Sequence, residues 1–258
     1  MPRALVIIPT YNERESLESI VTRVVAADHR VDVLVVDDAS PDGTGDVADA
    51  IAAREPRVTV LHRAGKLGLG TAYVEGFRIA LDRDYDAAFE FDADGSHPPE
   101  RLPSMLDALD DGADLVIGTR WMPGGRTENW PLQRVLLSRG ASLYARTLLR
   151  SSIRDITAGY RGYRADVLRA FDLGAIRSNG YCFQIETAWM VERAGLRIDE
   201  VPITFTEREA GASKMSRAIV VEAVWRVAAW GIGSRLRDLH GLVPAPLGGP
   251  TVISEGQL

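Results

Sequence analysis

Apolar residues in this 258-residue chain fall into short unbroken runs separated by stretches with helical spacing. Ala4-Leu5-Val6-Ile7-Ile8 is the first run. A continuous apolar stretch of that length is expected of a strand buried on both faces of a sheet. Pro9 has no N–H for the ladder and is read as the end of that strand. Leu17, Ile20, Val21, Val24 and Val25 then mark a helix over 13–27. Strands over 32–36, 58–61, 86–91 and 115–118 alternate with helices over 44–54, 71–81 and 98–109, the last opened by Pro98-Pro99. This alternation predicts an α/β fold, a mostly parallel central sheet flanked by helices on both faces. The second half is less regular. It reads as a helix over 132–149, a loop and short strand over 155–164, a helix over 183–194 and an alternating strand over 197–205. A long apolar helix over 216–236 follows, interrupted by Glu222 and Arg226, which stand four apart and can pair. It is too charged and too rich in late glycine for a membrane span. Packing against the domain is the favoured reading, and lying on a bilayer surface is the alternative. Residues 1–240 are therefore expected to form a single domain. Proline and glycine without periodicity make 241–258 a disordered tail.

Composition adds two constraints. The single cysteine, Cys182, excludes an internal disulfide framework and a cysteine-based zinc site, and suits a reducing compartment. The start of the chain runs straight into a strand, so no signal peptide is expected. The net charge of −6 argues against nucleic-acid binding, but its distribution is uneven. Residues 1–115 carry 11 Lys and Arg against 23 Asp and Glu, whereas residues 116–217 carry 16 against 10. An acidic half able to hold a cation precedes a basic half able to hold an anion.

Candidate chemistry lies at the ends of the predicted strands. Asp92-Ala93-Asp94 directly follows the run 86–91. On a strand, residues two apart point the same way, so two hard oxygen ligands could face one small cation at the sheet's carboxyl edge. Such a cation would neutralise a diphosphate, which points to a nucleotide-activated substrate. A helix-capping role is the alternative, and suits one Asp better than both. His97 is read as a structural hydrogen-bonder outside the metal site. Pro9-Thr10-Tyr11-Asn12-Glu13 could seat a base and ribose, or could cap the first helix. Asp37-Asp38-Ala39-Ser40-Pro41-Asp42-Gly43-Thr44 could accept ribose hydroxyls, and an Asx-type turn is the competing reading. Gly65-Lys66-Leu67-Gly68-Leu69-Gly70 matches neither a P-loop nor a dinucleotide fingerprint, yet can present N–H groups to phosphate. In the basic half, Arg120, Arg134, Arg161, Arg208 and Lys214 are the candidate phosphate ligands.

Taken together, these segments resemble a family 2 glycosyltransferase with the GT-A nucleotide-sugar fold. Further motifs narrow the likeness to polyprenyl- or dolichyl-phosphate mannose synthases. Gly118-Thr119-Arg120 belongs with the family-wide segments, and the narrowing motifs are Ser138-Arg139-Gly140-Ala141, Asp155-Ile156-Thr157-Ala158-Gly159-Tyr160-Arg161-Gly162, Gly180-Tyr181-Cys182-Phe183-Gln184-Ile185-Glu186 and Arg208-Glu209-Ala210-Gly211-Ala212-Ser213-Lys214. The resemblance implies GDP-mannose as donor, a polyprenyl phosphate as acceptor and inversion at the transferred sugar. Residues 1–118 would form the nucleotide-sugar half and 119–217 the acceptor half. By the same resemblance, Pro9, Tyr11, Glu13, Asp38, Gly70, Ala72, Asp92, Ala93 and Asp94 would bind the donor. Asp92 and Asp94 would hold Mg²⁺ or Mn²⁺, with Ser96 joining through water. Arg120, Arg134 and Ser138 would meet the lipid phosphate. Arg208 and Lys214 would close over the donor, and Asp94, Arg120, Arg208 and Lys214 would carry the catalytic work. The expected setting is cytoplasmic, peripheral at the cytoplasmic membrane face, with a membrane-anchoring protein as a further expected partner. Two other readings stay open: glucose transfer from UDP-glucose to the same lipid, and a non-catalytic nucleotide-sugar-binding protein.

Overall fold

Four apolar runs become adjacent parallel strands because each is hydrophobic on both faces. In the computed structural model, which describes residues 3–176, 178, 180–207 and 217–239, the strands are β1 (Ala4–Thr10), β2 (Val31–Asp37), β3 (Val58–His62), β4 (Ala87–Glu90), β5 (Leu115–Thr119), β6 (Arg126–Glu128), β7 (Arg161–Arg164), β8 (Ile198–Pro202) and β9 (Thr204–Thr206). The helices are α1 (Leu17–Ala27), α2 (Thr44–Ala52), α3 (Leu69–Asp82), α4 (Leu102–Asp110), α5 (Leu132–Leu149), α6 (Ala165–Ala170), α7 (Tyr181–Arg193) and α8 (Arg217–Leu239). The main sheet has the order β3-β2-β1-β4-β7-β5-β8, and β6 pairs with β9 separately. All pairings in the main sheet are parallel except those of β7, which runs antiparallel between β4 and β5. This is the mostly parallel α/β arrangement expected from the sequence.

Period-two alternation divides the core between the sheet's faces. Leu5 and Ile7 of β1 join Leu34 and Val36 of β2 beneath α3, α5 and α7, with Tyr73, Phe77, Phe183 and Trp189 in that layer. Val6 and Ile8 point the other way, into a layer with α1, α2 and α4. Gly76 lets α3 lie directly on β1, since a Cβ there would stand 2.7–2.8 Å from three side-chain atoms of Ile7. Gly76→Ala should therefore cost about 1–3 kcal/mol by overpacking, read as a lowered urea midpoint at unchanged slope.

Two sequence expectations are corrected. Pro9 does not end β1, because it still pairs opposite Val36, and Thr10 opposite Asp37. Phe91 N–H donates to Ile7 O, so alternate residues of β1 face β4, and Pro9 faces the side where β4 has already stopped at Glu90. The missing N–H therefore costs no ladder bond. The strand over 197–205 is two strands. β8 extends the main sheet as far as Pro202, and β9 leaves to pair with β6 after the buried Ile203. The expected 241–258 tail lies outside the described residues.

α8 packs as expected for a domain helix along one side. Val227 is buried, Trp230 stacks on Trp189 with centroids 6.1 Å apart, and Tyr144 Oη donates to Val224 O at 2.9 Å. Glu222 and Arg226 pair at 2.8 Å. Among the described residues no helix is long and apolar enough to cross a membrane.

The strand order sets the site. The chain runs outward from β1 to β2 and β3, then returns to place β4 on the other side of β1. That reversal opens a crevice at the carboxyl ends of β1 and β4, the usual ligand position in open α/β sheets. The loops after β1, β2, β4 and β5 meet at this edge. So does the segment entering the antiparallel β7, because Arg161 lies opposite Glu90.

Candidate active site

Asp92 and Asp94 sit at the crevice, but not on the strand. β4 stops at Glu90, and the two carboxylates ride on the turn that follows, with Gly95 at φ +78°. The two-residue strand logic therefore does not orient them; hydrogen bonds do. Asp92 Oδ1 accepts from Tyr73 Oη at 3.3 Å, and Asp94 Oδ1 accepts from Ser96 N–H at 3.1 Å. Asp92 N–H donates to His97 Nδ1 at 3.1 Å, which leaves the ring proton on Nε2, 3.6 Å from Asp92 Oδ2. His97 is buried, stacks on Tyr160 and meets Phe91 and Phe205 edge-on, so its ring is fixed.

Burial holds the His97 pKa below the ordinary value, with Asp92 and Asp94 pulling it back up. The unfolded imidazole takes its proton near pH 6.5 and the folded one lower, so stability from this residue is present above that pH. It is lost as pH falls through the window below. The wild-type protein should lose more stability than His97→Gln between pH 7.5 and 5.5, measured by urea unfolding. Activity of the same variant should fall about 10–100-fold, the usual cost of losing a group that orients a ligand.

Ser96 is 2% exposed, and its Oγ has no hydrogen-bond partner among the described residues. Among those residues no group of three or more His, Cys, Asp or Glu side chains forms a metal site. The two carboxylates and the orphaned hydroxyl fit a hard divalent cation that takes its other ligands from phosphate oxygens and water.

The residues expected to bind the donor lie in loops at the same edge. Tyr11 lies in the turn after β1, with Lys66 Nζ 4.2 Å from its ring centroid. Glu13 N–H donates to Thr44 Oγ1 at 3.0 Å, tying the first loop to the start of α2. Asp37 is absorbed by its own turn, accepting from Thr10, Ser40 N–H and Ser40 Oγ. Asp38 faces the glycine-rich loop and accepts from Leu67 N–H at 3.2 Å. Arg63 Nη1 stands 3.1 Å from its Oδ1. Burial raises the Asp38 pKa, and Arg63 opposes that shift. Gly68 at φ +102° turns the chain into α3, and Gly70 is required by a close approach: a Cβ would lie 2.7 Å from Ser178 O. Ala72 and Ala93 are buried at 1% and 4%, so they act as walls rather than polar contacts.

The basic side divides into three kinds of arginine. Arg161, named among the candidate phosphate ligands, is 0% exposed and serves the scaffold. It donates to Ala158 O and Ile156 O, both at 2.7 Å, and to Gln184 O. It also lies opposite the buried Glu90, whose pKa burial pushes up to about 7. Arg120 reaches the edge from β5 but is bound bidentately by Asp155, with Nε and Nη2 both at 2.7 Å. Its guanidinium also lies about 5 Å from the rings of Trp121, Trp130 and Phe205. Arg134 pairs with Glu207 at 2.7 Å and stacks on Trp130 at 4.1 Å, with half-buried Ser138 one turn further along α5. Glu207 immediately precedes the segment containing Arg208 and Lys214, which lie outside the described residues.

Sequence reasoning gave no role to Tyr73, Asp155, Arg63 or Lys66. Tyr73 and Arg63 carry no local signal, because their partners lie 19 and 25 residues away in the chain. Asp155 and Lys66 stand within motifs already quoted, but spacing alone does not tell which partner each takes.

The Glycosyl transferase family 2 model matches residues 5–171. The chain belongs to glycosyl transferase family 2. Within that family it is 56% identical over 242 residues to the polyprenol monophosphomannose synthase of Mycolicibacterium smegmatis, covering 93% of this chain and 91% of that one. It is 57% identical over 238 residues to the undecaprenyl-phosphate mannosyltransferase of Micrococcus luteus, covering 92% and 98%. The family 2 chain also resembles a crystal structure of glucosyl-3-phosphoglycerate synthase from Mycobacterium tuberculosis in complex with Mn2+ and UDP-glucose. The TM-score is 0.63 and the identity 18%, over 95% of this chain and 81% of the other, a likeness of fold.

Proposed function

We propose that this enzyme transfers mannose from GDP-mannose to the phosphate of a polyprenyl phosphate, with inversion, giving a polyprenyl β-mannosyl phosphate. The observation that carries the reading is the crevice itself. Two acidic residues sit on the turn after β4, and from the basic half Arg120 lies over Phe205, whose ring meets His97 of that turn, while Arg134 of α5 stacks on Trp130 against the same Phe205. The names and high identity of the two bacterial relatives supply the sugar and the lipid class.

The chemistry suits these residues. A phosphate monoester is already an oxyanion at neutral pH, so its oxygen can attack the sugar's anomeric carbon while the bond to the nucleotide breaks. No side chain has to remove a proton, and the chief tasks are orientation and charge management. Arg134 and Ser138 would orient the acceptor phosphate, with Arg120 held in place by Asp155. Tyr11, Glu13 and Asp38 would seat the nucleoside, while Arg208 and Lys214 would cover the donor. Asp92 and Asp94, with Ser96 through water, would hold Mg²⁺ or Mn²⁺, which when bound supplies Lewis-acid stabilisation of the departing diphosphate.

The lipid acceptor places the reaction at a membrane surface, and α5 and α8 suit that location. Leu132, Leu136 and Leu137 on α5 are 71%, 61% and 59% exposed, and Trp225 on α8 is 72% exposed. Large exposed apolar side chains on a helix are expected where it rests on lipid. We place the enzyme at the cytoplasmic face, where a membrane-anchoring protein would hold it.

The test is transfer of radiolabelled mannose from GDP-mannose into organic-extractable lipid. EDTA should lower the rate about 10²-fold or more. Excess unlabelled UDP-glucose should leave it unchanged. Undiminished transfer in EDTA would remove the metal role, and effective competition with formation of a glucolipid would replace the donor.

A further inference from the structure

A basic cavity has none of the Asp92 turn in its lining. Its volume is about 530 Å³, and its lining includes Arg120, Trp121, Arg139, Leu143, Arg146 and Arg154. Neither Arg134 nor Ser138 lines it, and no residue of the donor side does. Arg120 is the wall shared with the acceptor side.

The charge in this cavity is unbalanced. Asp155 neutralises Arg120, and Glu200 neutralises Arg154 at 3.0 Å. Arg139 and Arg146 stand seven apart, on one flank of α5. Neither has a carboxylate partner among the described residues. Arg139 lies 4.7 Å over the Trp121 ring. Arg146 Nε is buried without a hydrogen-bond acceptor, and so is Trp121 Nε1. Arg139, exposed at the surface, and Arg146, half-buried, thus line one cavity with Trp121, and two N–H donors of these lining residues lack the partner a buried donor normally finds. An oxyanion supplies both the charge and the acceptors. The rest of the lining is mostly apolar, with Trp121, Met122, Pro123 and Leu143, the last 63% exposed, beside Ser142, whose hydroxyl bonds Thr157 Oγ1. Gly125 belongs to this wall, and its close approach to Thr119 O at 2.6 Å from a notional Cβ excludes a larger residue.

We propose that this cavity is a second anion site, distinct from the acceptor site, for a phosphate group carried on an apolar body. An anionic phospholipid headgroup and free phosphate share the recognised chemistry; the apolar wall favours the former. The assignment goes beyond the transferase reading and would stand if the donor or acceptor proved different.

Calorimetric titration of the full chain with dihexanoyl phosphatidic acid tests it, with inorganic phosphate and dihexanoyl phosphatidylcholine as separate arms. Phosphatidic acid should bind saturably, and Arg139→Gln/Arg146→Gln should weaken it at least about ten-fold. Arg134→Gln should leave that binding unchanged. Inorganic phosphate binding with the same dependence on Arg139 and Arg146 and equal affinity would assign the site to free phosphate. Weaker binding would assign it to the lipid headgroup. Phosphatidylcholine, zwitterionic, should not bind. Transfer to a soluble short-chain prenyl phosphate should stay within about two-fold in the double variant, whose fold is checked by thermal melting. No saturable binding of either anion would overturn the proposal. So would binding lost in Arg134→Gln but kept in the double variant, or a double variant that loses transfer and anion binding together. Each of these failures leaves the mannose-transfer test above untouched.

Discussion

Asp94→Asn should lower mannosyl transfer about 10³-fold while the protein keeps its fold, because it removes a carboxylate charge expected to hold a cation worth several kcal/mol to the transition state. The substitution is chosen for what it preserves. Asn retains an oxygen for the Ser96 N–H that Asp94 Oδ1 accepts at 3.1 Å, so the turn keeps its hydrogen bond. If Asp94 served only to cap that turn, Asn would serve nearly as well and turnover would stay near wild type. Asp92→Asn is less informative, since Tyr73 and His97 both face Asp92 and the amide would disturb that arrangement. The measurement is initial rate with GDP-mannose and a short-chain prenyl phosphate, paired with thermal unfolding. A melting temperature within about 2 °C of wild type, where 1 kcal/mol moves a chain of this size by about 2–4 °C, would show that the loss is chemical. Near-normal turnover would remove Asp94 from the metal site.

How much of this site was legible depended on how local each signal was. Buried parallel strands announce themselves through unbroken apolar runs, so β1 to β5 could be read from composition along the chain. Asp92 and Asp94 stood out because two carboxylates directly follow such a run. β7 was harder to read. Arg161-Gly162-Tyr163-Arg164 is half charged, and it enters the sheet because Gly162 packs against Phe89 and Arg161 lies opposite Glu90. A buried arginine whose donors go to main-chain carbonyls has the same letter as an arginine that binds phosphate. Only the fold separates Arg161 from Arg134. The histidine is a mixed case: His97 is a hydrogen-bonder within its own turn, its partner Asp92 five residues away, but the rings of Tyr160 and Phe205 that fix it come from tertiary packing. The break in the 197–205 strand was also hidden, because alternation persists across Pro202 while the pairing partner changes from β5 to β6. Local pattern reports which face of an element is buried, and it does not report the element that buries it.

The Arg120–Asp155 pair yields the largest expected change in stability. Asp155 is 0% exposed and Arg120 5%, and the carboxylate accepts from Arg120 main-chain N–H at 3.0 Å as well as from its Nε and Nη2. Thr157 Oγ1 bridges the pair to Ser142 on α5 at 3.1 Å, so the ion pair links β5 to the helix that carries Arg134 and Ser138. Asp155→Ala strips a buried cation of its buried partner and should cost about 3–5 kcal/mol in urea unfolding. Replacing both members with apolar residues of similar size, Arg120→Met with Asp155→Leu, should recover most of that stability, because the desolvation cost leaves with the charge. Transfer should not recover with it. The double variant thereby separates two roles that any single substitution confounds, the pair as scaffold and the guanidinium as a ligand for the acceptor phosphate. A refolded double variant that transfers mannose at the wild-type rate would confine Arg120 to the scaffold and leave Arg134 and Ser138 to orient the acceptor.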